Sequence, residues 1–291
     1  MLVDAACGDT IAGERCLLAP SELGNLHFHI SGKGRPVLFL HGFPEYFAIW
    51  RPLLARLQTP VRAIAADLPG FNRSNLADRT RAGTRDIGQM LTAALDELNI
   101  SRVDIVAHDI GGAAAWQIAA ECRARVGGLF LISAPHPADF IRHFWYDCPS
   151  ARLSYIDELT GADEDAFVLD SERLASLVFS TVTGARLALR DALARSDSQT
   201  IRSLYAANIA PIALTRWLSQ SPADCAVKVV SSRNDPFVPP ILFAGTGVHT
   251  KNRCEVVLLD RGGHFLQIVE SACVAAHLDA WLAALPGRAG R

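Results

Sequence analysis

The stretch "VAHDIGG", Val106–Gly112, ends the apolar run "RVDIVA" (Arg102–Ala107) and opens onto "AAAWQIAA" (Ala113–Ala120). It reads as a strand, a sharp small-residue turn and a helix. At the apex, where such a turn often presents a serine, stands Asp109. Its flanks Ala107 and Gly111 are small, as a strained elbow requires, and no G-x-S-x-G occurs in the chain, which disfavours a serine nucleophile. A carboxylate with a reference pKa of ~3.9 is already ionised at neutral pH, and the positive end of the following helix favours that charge. Such a group suits attack on an sp³ carbon bearing a leaving group, giving an alkyl–enzyme ester. The plainer alternative is an Asp that only caps the helix.

Working outward from the elbow, short β-rich runs alternate with helical segments, the pattern of a mostly parallel sheet covered on both faces. Strands are expected at Asn25–Ile30, Val37–Leu40, Val61–Ala66, Arg102–Ala107, Gly128–Ser133, Ala226–Ser232 and Cys254–Leu259. The tight "SGKGRP" between the first two predicts an antiparallel hairpin. The last helix is "SACVAAHLDAWLAAL", followed by a frayed "PGRAGR" tail. From about Ala138 to Pro222 the rhythm changes to helical patterns without strands, such as "SERLASLVFSTV" and "SQTIRSLYAANIAPIALTRWL". The expected organisation is a first core part at residues 1–137, a helical cap at 138–222 and a second core part at 223–291. A cap there would roof the carboxyl ends of the strands, where open α/β sheets bind ligands.

An ester intermediate needs a base to activate water. "DRGGHFLQ" places His264 on a glycine-rich loop after the last strand, with a reference pKa near ~6.5 suited to that task. "SSRNDPF" places Asp235 just past the preceding strand, as its orienting acid. The order Asp109, Asp235, His264 is the nucleophile–acid–base order of this architecture. "HGFP" offers the backbone N–H of Phe43 as an oxyanion donor, the elbow offers that of Ile110, and the Phe43–Pro44 bond is a candidate cis peptide. Trp50 and His136 are further candidate substrate contacts, with core packing and a hinge beside the insertion as their alternatives. Glu45 either approaches the water site or caps a helix, His108 points into the fold, and Trp116 and Trp217 are packing.

Composition narrows the partners. With 28 Lys+Arg against 30 Asp+Glu, a net charge of −2 and no basic tract, neither nucleic acid nor anionic membrane is an expected partner. No apolar run approaches the ~20 residues of a membrane span, and the first residues lack a signal-length apolar core. The cysteines, seven in number and without CxxC spacing, argue against a disulfide framework and a zinc site. The acidic run Asp157–Phe167 lacks an EF-hand pattern, so no metal is expected. The lysines are only Lys33, Lys228 and Lys251, as in a GC-rich genome. A cytoplasmic, bacterial protein, monomer or homodimer, is the expectation.

"HGFPE", "DLPGFNRS", "HDIGG", "APHPADF" and "GGHFLQ" together resemble the α/β-hydrolase-fold epoxide hydrolases and their relatives, the haloalkane and haloacetate dehalogenases. The resemblance runs from about Asn25 to Leu285 and implies the α/β-hydrolase fold, with a mostly parallel central sheet flanked by helices and an inserted helical cap. It implies a cofactor-independent enzyme acting on a small-molecule epoxide and water. In epoxide hydrolases two cap tyrosines donate to the opening oxygen, one of them in a Tyr-x-x-Asn motif. Tyr155 in "LSYIDEL" and Tyr205 with Asn208 in "SLYAANI" match those places, the alternative being amphipathic packing. Dehalogenation by the same Asp109 is the second reading, but the halide-binding indole or substrate-binding arginine beside the nucleophile is here Ile110. A non-catalytic binding protein on the same fold is the third. The chain departs from the family at Ala107 and Asn72, where Gly is usual, at Ile110 for Trp, and at Ala206 for Arg.

Overall fold

A computed structural model describes residues 2–4, 14–151, 153–161, 167, 169–181 and 183–286. Most of the N-terminal stretch, residues 162–166 of the acidic run and residues 287–291 of the tail lie outside the described residues. The strands are β1 (Val3–Asp4), β2 (Arg15–Ser21), β3 (Gly24–Ser31), β4 (Arg35–Leu40), β5 (Val61–Ala66), β6 (Asn75–Leu76), β7 (Val103–His108), β8 (Val126–Ile132), β9 (Ala226–Ser232) and β10 (Cys254–Leu259). They form one 10-stranded sheet in the order β1-β2-β3-β5-β4-β7-β8-β9-β10, with β6 beside β3. From β5 to β10 along that order every pairing is parallel. At the other edge β1, β2 and β3 are antiparallel.

The central strands read as continuous apolar runs because both their faces are covered. In β4, Leu38 and Leu40 enter one core and Val37 and Phe39 the other. Helix Thr84–Glu97 covers the first face with Ile87, Met90, Leu91, Ala94 and Leu95, the spacing of a single helical stripe. On the second face lies helix Ser271–Ala284, with Val274, Ala275, Leu278, Trp281 and Leu282 turned to the sheet. Full burial of each large apolar side chain contributes about 1.5–3 kcal/mol, so either helix is held by its buried stripe more than by intrinsic propensity.

Two expectations fail here. β3 and β4 do not pair as a hairpin, because β5 lies between them. The "SGKGRP" turn instead carries the chain over the start of β5. Gly32 and Gly34 have φ of +72° and +127°, and a Cβ on either would stand 2.4 Å from the carbonyl oxygen of Val61 or Pro60. The hairpin partner of β3 is β2, paired from Arg15↔Ile30 to Ser21↔Gly24. Cys16 is disulfide-bonded, although Cys122, Cys148, Cys225, Cys254 and Cys273 are free thiols.

Between β8 and β9 the described residues contain no strand. Helices run at Pro137–Arg142, Ser154–Thr160, Ser171–Val178, Gly184–Ala194, Ser198–Ile209 and Leu214–Leu218. Among the described residues no helix is long and apolar enough to cross a membrane.

Candidate active site

Asp109 stands between the end of β7 and helix Ile110–Glu121, with φ 49° and ψ −127°. A non-glycine residue in such a conformation costs about 1–3 kcal/mol, which the surroundings must impose. They do so by close approach. A Cβ on Gly111 would lie 2.5 Å from the carbonyl oxygens of Leu40 and His41, and one on Gly42 would lie 2.5 Å from the Asp109 Cβ. The elbow and the loop after β4 therefore pack backbone to backbone. That loop contains the cis Phe43–Pro44 bond.

The result is a carboxylate at the carboxyl edge of the sheet whose side chain is 16% exposed. Its Oδ1 accepts the Phe43 N–H at 3.2 Å and the Tyr205 hydroxyl at 3.3 Å. Its Oδ2 lies 3.6 Å from His264 Nε2. His264 Nδ1 is 2.9 Å from Asp235 Oδ2, and Asp235 Oδ1 accepts the N–H groups of Phe237 and Val238 at 2.9 and 3.0 Å. Asp109, Asp235 and His264 thus converge from the ends of β7, β9 and β10.

Burial disfavours the charge on Asp109, but the hydrogen bond and charge of His264, then the charge of His108 and the Ile110 N–H, outweigh it and hold the carboxyl at about 2. Burial likewise opposes the charge on His264, yet the hydrogen bonds and charges of Asp109 and Asp235 push it up to about 10. Asp235 is lowered too: burial is overcome by His264, the Phe237 N–H and the Ser133 hydroxyl. At rest the site is an imidazolium between two carboxylates.

Tyr155 and Tyr205 enter from the helices between β8 and β9. Burial, then the negative charge of Asp109, raises both phenols far above their ordinary value, so both keep their protons. Asn208 fixes the Tyr205 helix to the core: its Oδ1 accepts the Thr84 N–H at 2.9 Å and its Nδ2 donates to the Ala82 carbonyl at 2.9 Å. Arg202 ties the two tyrosine helices together, donating to the carbonyls of Glu158 at 3.2 Å and Gly161 at 2.7 Å at the end of helix Ser154–Thr160. A cation suits that end of a helix.

Two sequence candidates lie elsewhere. Trp50 is 0% exposed in the core, with its ring 5.3 Å from that of Phe39, and it does not line the cavity at Asp109. His136 caps helix Pro137–Arg142 through Nδ1, which accepts the Ala138 N–H at 3.2 Å, and stacks on His249 at 3.5 Å. Neither is among the residues lining the cavities at Asp109. Both are aromatic residues near a motif, and only side-chain direction separates lining from packing.

Glu45 is buried behind the elbow rather than facing the cavity. Its carboxylate accepts the Gly42 N–H at 2.7 Å and the Gln267 amide at 2.6 Å, and it pairs with His108 Nδ1 at 2.8 Å. The other nitrogen of His108 is 3.1 Å from the His264 carbonyl oxygen. This buried chain joins the loop after β4 to the loops carrying Asp109 and His264. Gln267, Ser133 and Arg202 gave no signal of their own in the sequence, because each acts through a partner remote in the chain. Among the described residues no group of His, Cys, Asp or Glu is arranged to hold a metal ion.

A profile of the alpha/beta hydrolase fold family matches residues 35–271. Among curated proteins, the chain is 31% identical over 143 residues to epoxide hydrolase 4 of Mus musculus, covering 48% of this chain and 40% of that protein. It is 38% identical over 117 residues to epoxide hydrolase 3 of Xenopus tropicalis, covering 39% and 32%. The matches thus span less than half the length of these relatives. Among solved structures, an epoxide hydrolase of Bacillus megaterium in complex with an inhibitor superposes with a TM-score of 0.80 at 21% identity, covering 91% of this chain and 99% of that one. The epoxide hydrolase VrEH1 of Vigna radiata superposes with a TM-score of 0.77 at 18% identity, covering 94% and 99%. With the family profile matched from the start of β4 to the start of the last helix, the chain belongs to the α/β-hydrolase fold family.

Proposed function

We propose that the protein hydrolyses epoxides to vicinal diols through a covalent ester on Asp109. The observation that carries this reading is the pairing of an ionised carboxylate with two proton-bearing phenols on one cavity: Tyr205 bonds Asp109, and Tyr155 lines the same wall. The names of the relatives support it. An Asp109 oxygen attacks a ring carbon, the carbon–oxygen bond breaks, and the opening oxygen takes a proton from a tyrosine hydroxyl. Esterification removes one of the two carboxylate charges that hold the His264 proton. His264 then sheds that proton to solvent and becomes a base, so the first step switches on the second.

His264 next takes a proton from water, and the hydroxide adds to the ester carbonyl. The Phe43 and Ile110 N–H groups receive the oxyanion. Collapse breaks the acyl carbon–oxygen bond, and His264 protonates the departing diol oxygen. The carboxylic acid left on Asp109 ionises and its proton restores the tyrosine, and with both carboxylates charged again His264 takes back from solvent the proton it had shed. Residues 138–222 serve as the cap that brings both phenols over the nucleophile. Among the described residues no tryptophan lines the cavity, so the indole donor expected for a departing halide has no counterpart there.

The test is a single turnover in ¹⁸O-water. The first diol should contain ¹⁶O and the label should enter Asp109, while His264→Gln should accumulate an adduct on the Asp109 peptide. Label appearing directly in the first diol would show water to be the attacking group. Any epoxide turnover excludes a pure binding protein, and halide release from haloalkanes or haloacetates without epoxide opening would favour dehalogenation.

A further inference from the structure

Two cavities meet at the nucleophile. The larger, of about 760 Å³, is walled by Phe43, Phe167, Leu174, Phe237 and Phe265 and reaches the exposed Arg173 at its mouth. The smaller, of about 30 Å³, lies on the other side, among Ile110, Ala113, Phe140, Ile209 and Val238. Among the described residues Asp109, Tyr155 and Tyr205 alone line both. The carboxylate and the two phenols are therefore the constriction between the chambers.

We infer that the substrate is an unsymmetrical epoxide, with a bulky apolar, aryl-bearing group on one ring carbon and only hydrogen or methyl on the other. The inference rests on the proposed epoxide chemistry and names its substrate class. In that chemistry the ring oxygen must face the phenols while the carbons face Asp109, so the two carbons' substituents leave on opposite sides of the constriction. A chamber of about 10–15 Å³ holds a water, whereas a benzene ring fills one of about 150 Å³. The small chamber thus takes a methyl group and rejects a ring. The large chamber lies within the range of sites for drug-sized ligands. Its aromatic walls, with Phe43 5.9 Å from Tyr205 and 6.0 Å from Phe167 between ring centroids, suit an aryl group.

Ile110 lines the small chamber together with Ala113 and Ile209. The size of that chamber is therefore a property of these short side chains.

Three epoxides test the inference on the unmodified protein: phenyl glycidyl ether, trans-β-methylstyrene oxide and trans-stilbene oxide. The first two should be opened with kcat/KM within about tenfold of each other, and stilbene oxide about 100-fold more slowly than either. Ile209→Ala should raise stilbene oxide about tenfold relative to phenyl glycidyl ether, and Ala113→Leu should lower the methyl-bearing epoxide relative to it. Ratios within one variant cancel any general loss of folded protein. Stilbene oxide opened at the rate of the terminal epoxide overturns the inference and leaves the epoxide chemistry standing. If none of the three is opened, the proposed function falls and the substrate class falls with it.

Discussion

Asp109, Asp235 and His264 each stand just past a strand of the sheet, whereas Tyr155 and Tyr205 stand on helices of the insertion between β8 and β9. The first group is oriented largely by backbone: the N–H groups of Phe43, Phe237 and Val238 hold the two carboxylates. The second group depends on side chains. Asn208 docks the Tyr205 helix to residues 82–84, and Arg202 clamps the Tyr155 helix to it. Asn72, at φ 49°, adds a strut to the insertion by accepting Arg195 at 2.8 and 3.0 Å. Large apolar side chains such as Tyr146, Leu177, Leu187 and Ile212 are left exposed on the insertion. A frame built from strand ends tolerates change around it; one built from side-chain clamps moves when a clamp is lost. The two steps of the proposed reaction therefore have separate weak points.

The most severe test of that separation is Asp109→Ala. Turnover should fall by about 10⁴-fold or more, with a somewhat lower melting temperature at neutral pH, since His264 loses one of the two carboxylates that hold its proton. Residual turnover above that level, with ¹⁸O entering the diol directly, would move the attack to water. Next comes the insertion. In the proposed reaction, loss of one such donor typically costs about 10²–10³ in rate, so Tyr155→Phe or Tyr205→Phe alone should slow adduct formation less than the double variant does. The double variant should show unaltered hydrolysis of an ester already formed, measured by stopped-flow decay. Parental epoxide opening in it would reduce both tyrosines to packing and favour the dehalogenase reading.

Asp235→Asn probes the other side. Adduct formation should persist, while hydrolysis slows by about 10²-fold because His264 loses its orienting acceptor and counter-charge. The same pairing sets a pH dependence. His264 keeps its proton to about 10 in the fold but releases it near its ordinary value of 6.5 when unfolded. The stability it contributes is complete below about 6.5 and is lost as pH rises towards 10. In Asp235→Asn the loss should be smaller and complete at lower pH, because only the folded-state value falls, as NMR titration of His264 and chemical unfolding from pH 6 to 10 would record. An unchanged His264 titration would show that Asp235 does not hold its proton.

Smaller effects should come from the clamps. Arg202→Met leaves the carbonyls of Glu158 and Gly161 without their donor, costing about 1–3 kcal/mol of stability. It should lower kcat for epoxide opening about tenfold while ester hydrolysis is unchanged, since about 1.4 kcal/mol of misplacement is a tenfold rate effect. Loss of both steps together would mean the clamp serves the whole fold. The smallest effect belongs to Asn72→Gly. It removes the Arg195 strut and the bond that Asn72 Nδ2 donates to buried Asp67 at 2.7 Å, but relieves a positive φ. The net loss in unfolding free energy should be about 1 kcal/mol, with kcat unchanged. A larger loss would make Asn72 a principal anchor of the insertion.

From sequence alone came the features whose cause is local. The strands Val61–Ala66, Ala226–Ser232 and Cys254–Leu259 have their observed bounds because apolar runs broken by Pro, Asn, Asp and Gly carry their own limits. The Asp109 elbow was legible for the same reason: small flanks, an apex carboxylate and a following helix lie within one short stretch. Tertiary structure alone decided that β3 pairs with β5 rather than β4, because a glycine turn permits a crossover as readily as a hairpin. It alone decided that Trp50 and His136 face away from the cavity, that Glu45 pairs with His108, and that Ile110 bounds a second chamber. Those outcomes depend on which distant side chains fill the space beside each residue, and periodicity along a chain carries no record of that.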